Sequence, residues 1–176
     1  EEAGGEAWEA PTIAIDSSAD TDELKTAVKN AGNYDWIIFT SVNGVKAFFD
    51  CMRENNQDIR SLGLAKICAI GPKTKEALED KGLLVSAMPE KFVAESVIEC
   101  LKPILNPGER ILLPRSDLAR KMLVDTLVQM GMEVDEVIAY RTVKVNRFND
   151  EILEKIKDKS IHIITFTSSS TVKNFM

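Results

Sequence analysis

The sequence predicts an α/β fold made of two similar parallel-sheet lobes, the second of them incomplete. Three observations predict it. Short apolar runs alternate with segments of helical periodicity, the pattern of parallel strands joined by crossover helices. A ten-residue strand–turn–helix motif occurs twice. The second copy stops at Met176, one or two turns into its helix, whereas the first runs on to about Asn55.

The elements read in order as follows. Asp20 and Glu23 form a capping pair for a helix with Leu24, Ala27, Val28 and Ala31 on one face, which Gly32 should end. Trp36–Phe39 reads as a buried strand, and Val45, Phe48, Phe49 and Met52 follow at helical spacing. Lys66–Ile70 is the next strand, broken by Gly71-Pro72. A short helix carrying Ala77 and Leu78 stops at Gly82, and Leu83-Leu84-Val85 reads as a brief strand. Ala94, Val97, Ile98 and Leu101 mark a helix that Pro103 should end. Arg110–Pro114 is a strand, and Met122, Leu123, Leu127 and Met130 mark a helix ending at Gly131. Glu133–Val145 is a long extended stretch. Ile152, Leu153 and Ile156 mark another helix, and Ile161–Phe166 a final strand.

The repeat pairs Phe39–Phe48 with Phe166–Phe175. Both read F-T-S-x-x-x-V-K-x-F, and both follow an isoleucine-rich run. Six identities in ten at matched positions favour two similar units. Because the second helix breaks off and the acidic start leads straight into an extended segment, the sequence reads as a piece of a longer chain.

Composition narrows the function classes. The 176 residues are 44% hydrophobic and 28% charged, ordinary for a globular protein. No apolar run approaches the ~18 residues of a membrane span, and the acidic N-terminus does not resemble a signal peptide, so a cytoplasmic protein is expected. The net charge of −6 is local. Of the 28 acidic residues, eight lie within Glu1–Glu23, which leaves twenty against all 22 basic ones. No basic stripe suited to nucleic acid appears. Cys51, Cys68 and Cys100 are far apart and odd in number; they read as small buried hydrophobes rather than a zinc site or disulfide framework.

Four strand ends carry small polar residues: Thr40–Gly44, Gly71–Thr74, Arg115–Asp117 and Thr167–Ser170. In open α/β sheets ligands bind outside the carboxyl ends of strands, and each of these turns is expected to open a helix whose free N–H groups attract anions. Any one of them is an ordinary N-cap; all four on one rim would favour an anionic ligand. No catalytic constellation is visible. The one histidine, His162, falls inside the last strand, and no nucleotide-binding glycine motif occurs. Tyr140, alone on the long extended stretch, is of a type that usually packs with its hydroxyl at the surface.

The ordered pieces Ile37–Ser41 with Asn43-Gly44-Val45, Ala69–Pro72 with Thr74, Leu112–Ser116 with Leu118-Ala119-Arg120, Val137–Val143, and Ile164–Val172 together resemble the uroporphyrinogen-III synthase family over nearly the whole chain. The resemblance implies two lobes joined by a two-stranded connector. Residues 1–19 would be the end of a split lobe and the first connector strand, 20–140 a complete α/β lobe, 141–147 the second connector strand, and 148–176 the truncated return to the split lobe. It implies an enzyme that takes hydroxymethylbilane, loses the terminal hydroxyl as water, inverts the last pyrrole ring through a spiro intermediate and closes the macrocycle. No metal or cofactor is implied. A monomer is expected, alone or fused to another tetrapyrrole enzyme. On strand-end position and this resemblance, Tyr140 is the candidate for assisting loss of the hydroxyl. Ser41, Asn43, Gly71, Thr74, Arg115, Ser116, Ser168 and Ser169 are candidates for binding the substrate's carboxylates. Catalysis would be largely by orientation of a flexible chain. The residues alone leave open a non-catalytic two-lobed module that binds a small anionic ligand, because fold does not fix function.

Overall fold

A computed structural model describes residues 4–16, 21–145, 149–166 and 168–175. The chain divides into two compact units, Ser17–Arg141 and Glu1–Asp16 with Thr142–Met176.

The larger unit is a doubly wound α/β layer. It contains α1 (Thr21–Lys29), β2 (Trp36–Phe39), α2 (Val42–Glu54), β3 (Lys66–Ala69), α3 (Pro72–Glu79), α4 (Ala94–Leu101), β4 (Arg110–Ser116), α5 (Met122–Gln129) and most of β5 (Glu133–Lys144). Strand β1 (Ile13–Asp16) lies in the smaller unit. Within the larger unit the strands are ordered β5-β4-β2-β3, and every described pairing between them is parallel.

The strand sequences explain this arrangement. All four residues of β2 are buried, because helices cover both faces of the sheet. Alternate residues divide between two cores. Ile37, Phe39 and Leu112 join Val28, Phe48, Met52 and Leu78 on one face. Trp36, Ile38, Ile111 and Leu113 join Val97, Leu101, Leu123 and Leu127 on the other. Truncating a side chain such as Phe48, which is fully buried, costs about 3–5 kcal/mol in cores of this kind.

The chain reverses its winding once. From β2 it moves through α2 to β3 on one side, then returns past β2 to β4 on the other. The carboxyl ends of β2 and β4 therefore flank a topological switch point, where such sheets bind ligands.

Two expected features of this unit differ. The first helix ends at Lys29, and Gly32 lies in a 3-10 turn, Ala31–Asn33. Gly32 is there for close approach, since a Cβ would meet the Ser61 carbonyl oxygen at 2.9 Å. Gly82 and Gly131 do follow helix ends in the left-handed region, with φ of 83° and 88°. Leu83–Val85 is not a strand. Leu83 and Val85 pack against the core while Leu84 is exposed, and the sheet contact comes later, as a parallel bridge of Ala87 to Cys68. Asp20, the expected cap, lies outside the described residues.

In the smaller unit, β1 neighbours β5 in the sheet order, and the Val145 N–H donates to the Thr12 carbonyl at 3.1 Å. Helix α6 (Asp150–Lys157) is capped by Asn149, which accepts from the Glu151 N–H. Helix α7 is Ser169–Phe175. Ile161–Phe166 is not a strand, and Ile163, Ile164 and Phe166 are exposed. An aliphatic run becomes a strand only where a neighbour takes its N–H and C=O groups, and none among the described residues does so here. His162 is accordingly an exposed residue in irregular chain. No helix among the described residues is long and apolar enough to cross a membrane.

Candidate functional site at the carboxyl rim of the sheet

Beyond β2 the backbone stays extended at Ser41, whose Oγ accepts from the Gly44 N–H at 3.0 Å and caps α2. Gly44 is held to glycine by space. A Cβ would lie 3.0 Å from the Pro114 carbonyl oxygen and 3.3 Å from Ser41 Oγ. The start of α2 is thereby pressed against the end of β4.

Tyr140 arrives from β5. The β4–β5 register slips at the rim, where Arg115 faces Ile138 but Ser116 faces Tyr140. Such a bulge re-aims the side chains beyond it. Val137 and Ala139 lie in the α1–α2 core by ordinary alternation, and the slip brings Tyr140 into the same core. Its hydroxyl lies 3.0 Å from Ser41 Oγ. The Asp117 N–H donates to the Tyr140 carbonyl and fixes the backbone there.

Arg115, on β4, is only 4% exposed. One terminal N–H donates to the Arg120 carbonyl. Its Nε lies 3.5 Å from the Glu136 carboxylate, yet Nε and Nη1 have no hydrogen-bond acceptor among the described residues. Burial pushes the guanidinium pKa down, against the opposing pull of Glu136 and Tyr140. Ser116 Oγ donates to Asp117 Oδ1 and accepts from the Leu118 N–H. The turn Arg115–Asp117 does not open a helix directly. A loop intervenes, and α5 begins only at Met122, with Lys121 before it and no side-chain cap.

At the end of β3 the Ile70 N–H donates to the Phe39 carbonyl. Gly71 precedes α3, with Pro72 in its first turn and no side-chain cap. Thr74 is 4% exposed, and Asn43 is exposed on the first turn of α2.

Ser41 and Tyr140 thus touch. Arg115 and Ser116 belong to the adjoining strand end, and Gly71 and Thr74 to the end of β3. Ser168 and Ser169 stand in the smaller unit, where Ser168 Oγ accepts from the Thr171 N–H at 3.2 Å. That is the cap Ser41 makes with Gly44, at the same spacing. The flanking rings repeat too: Phe39 and Phe48 are 5.4 Å apart at 79°, and Phe166 and Phe175 are 5.4 Å apart at 72°. Among the described residues no group of His, Cys, Asp or Glu could hold a metal ion.

Sequence reasoning missed Glu136 and Phe92. The first meets Arg115 only through the β4–β5 register. The second packs against Gly71 through a loop contact that no local pattern announces.

The fold and rim define a class: a doubly wound α/β protein with hydroxyls, helix starts and a buried arginine at its switch point. The family model for uroporphyrinogen-III synthase HemD matches residues 1–176. A protein of Methanothermobacter thermautotrophicus is 35% identical over 176 residues, 99% of this chain and 68% of its own. The uroporphyrinogen-III synthase of Synechococcus elongatus is 30% identical, over 98% of this chain and 65% of its own. The porphyrin biosynthesis protein HemD of Ruminiclostridium josui is also 30% identical, and this chain covers 34% of it. The chain therefore spans less than two thirds of the last two relatives. A uroporphyrinogen III synthase structure from Thermus thermophilus shares the fold, with a TM-score of 0.64 at 21% identity over 93% of this chain and 64% of that one. This chain belongs to the uroporphyrinogen-III synthase family.

Proposed function

We propose that this protein acts as a uroporphyrinogen-III synthase, closing hydroxymethylbilane to uroporphyrinogen III with inversion of the terminal ring and loss of water. The observation that carries the reading is the Ser41–Tyr140 hydroxyl contact at the switch-point rim of a chain from this family.

In this reading the substrate's carboxylates are gripped by Ser41 and Asn43 at the start of α2, by Gly71 and Thr74 at the start of α3, and by Arg115 and Ser116. Ser168 and Ser169 supply the matching grip at α7. Backbone N–H groups at helix starts suit carboxylates without demanding particular side chains. Tyr140 donates its proton toward the leaving hydroxyl oxygen, which departs as water. The remaining work is orientation of a flexible chain, for which well-placed groups replace the need for a cofactor.

The proposal extends to architecture. Residues 20–140 form a complete lobe, 1–19 are the end of a split lobe and the first connector strand, 141–147 are the second connector strand, and 148–176 are the truncated return to the split lobe. The division into two compact units and the doubled cap support this. The protein is proposed to work in the cytoplasm as a monomer or fused to another tetrapyrrole enzyme. The much longer Ruminiclostridium josui relative supports the fusion option. The test is incubation of the product of the complete reading frame with hydroxymethylbilane, then oxidation and chromatographic separation of uroporphyrin isomers. Excess isomer III over the spontaneous isomer I is expected; isomer I alone would reject the activity.

A further inference from the structure

We infer that Phe92 is a ring-stacking residue, its open face taking a pyrrole ring of the tetrapyrrole; this rests on the function proposed above.

Phe92 stands on the loop Met88–Val93, between the Ala87 bridge and α4. The Ala69 N–H donates to the Ala87 carbonyl, and the Ser86 N–H to the Ile67 carbonyl, so the chain entering the loop is pinned to the edge of β3. The Val93 N–H donates to the Lys91 carbonyl and tightens the loop at Phe92 itself. The backbone that carries the ring is therefore held in place.

The inner side of Phe92 lies on Gly71. A Cβ there would be 3.1 Å from two ring carbons and 3.4 Å from Phe92 Cβ. The backbone does not explain this glycine, because Gly71 has φ −168°, an extended value open to any residue. A side chain at this position would instead crowd Phe92, whose ring would have to give by a few tenths of an ångström. Yet Phe92 remains 55% exposed, and Met88 and Val93 on the same loop are 36% and 48% exposed.

Its position decides the occupant. Gly71 begins α3 at the carboxyl end of β3, beside Thr74, so the ring borders the turn proposed to grip carboxylates. A tetrapyrrole carries flat π-faces a few bonds from its acetate and propionate groups. A stacked ring beside a carboxylate grip reads both features, and offset stacking is the geometry aromatic pairs prefer. A small ring-free anion would use only the grip. Phe92 thus selects for pyrrole rings.

The experiment uses the product of the complete reading frame and compares the parent with Phe92→Ala, Phe92→Tyr and Leu64→Ala. Leu64, 98% exposed before β3, is the control for loss of a surface apolar group. Rates of isomer III formation give KM and kcat separately, and equilibrium binding of uroporphyrin III is measured alongside. Phe92→Ala should raise KM and weaken uroporphyrin III binding by roughly 3- to 10-fold, with kcat little changed. Phe92→Tyr should restore both, and Leu64→Ala should alter neither. Unchanged KM and binding in Phe92→Ala, or equal losses in Leu64→Ala, would overturn the inference. If the parent forms no isomer III, the proposed activity falls, and uroporphyrin III binding alone still decides for or against Phe92.

Discussion

The hydroxyls of Ser41 and Tyr140 lie 3.0 Å apart, although 99 positions separate the two residues in sequence. Ser41 Oγ also accepts the Gly44 N–H, so one serine both caps α2 and holds the tyrosine. Ser41→Ala removes both interactions. We predict a loss of about 1–2 kcal/mol, the upper range for a lost helix cap, measured by urea unfolding. If the loss is below about 0.3 kcal/mol, the cap is not acting as described.

Gly44→Ala sets two effects against each other. Alanine gains roughly 1 kcal/mol of helix propensity over glycine. The new Cβ, however, would stand 3.0 Å from the Pro114 carbonyl oxygen, which is backbone in a central strand and yields poorly. Overpacking of this sort costs about 1–3 kcal/mol. We predict a lower melting temperature in Gly44→Ala. A rise in melting temperature would show that the approach of α2 to β4 is looser than described.

Much of the fold was legible because its signals are local. The spacing of Leu24, Ala27 and Val28, or of Phe48 and Met52, states a helix and its buried face without help from elsewhere. Trp36–Phe39 states a two-sided buried strand. Leu83–Val85 and Ile161–Phe166 misled because they carry strand-like side chains, whereas being a strand depends on a neighbouring backbone. The candidate site was legible as a set of strand ends but not as contacts. That Tyr140 reaches Ser41 depends on the slip between Arg115 and Ser116, and that Arg115 is buried beside Glu136 depends on strand register. Neither leaves a mark in the sequence of either partner.

Tyr34 offers a pH test away from the rim. Its hydroxyl donates to Asp135 Oδ2 at 2.7 Å, and the Arg110 guanidinium sits 5.0 Å from its ring centre. Burial, then Asp135, raises the phenol above its ordinary value of 10.0, with Arg110 opposing. A raised value means that the fold favours the protonated form. The stabilisation is therefore complete below pH 10.0 and is lost as pH rises through the higher folded value. The difference in absorbance at 295 nm between the parent and Tyr34→Phe should stay flat up to pH 10.0 and rise only beyond it. A difference already rising near pH 9, roughly a unit below the ordinary phenol value, would contradict the pairing.

Cys68 is fully buried in β3, and burial pushes its thiol up to about 12. Because the thiolate is the reactive form, iodoacetamide at pH 8 should leave Cys68 unmodified in the native protein and alkylate it in urea. Peptide mass spectrometry distinguishes the two states. Native alkylation of Cys68 on the time scale of a free thiol would mean that this core opens readily.

The central claim is that Tyr140 assists departure of the terminal hydroxyl while the rim holds the substrate folded for inversion. General-acid help of this kind is worth about 10²–10⁴-fold, less when the leaving group is good. The most direct measurement is the rate of isomer III formation from hydroxymethylbilane by the parent and by Tyr140→Phe, compared at equal folded fraction in the product of the complete reading frame. The account predicts that Tyr140→Phe slows isomer III formation by at least about tenfold while the fold is retained. A Tyr140→Phe protein as fast as the parent would contradict it and leave the chemistry to substrate orientation alone.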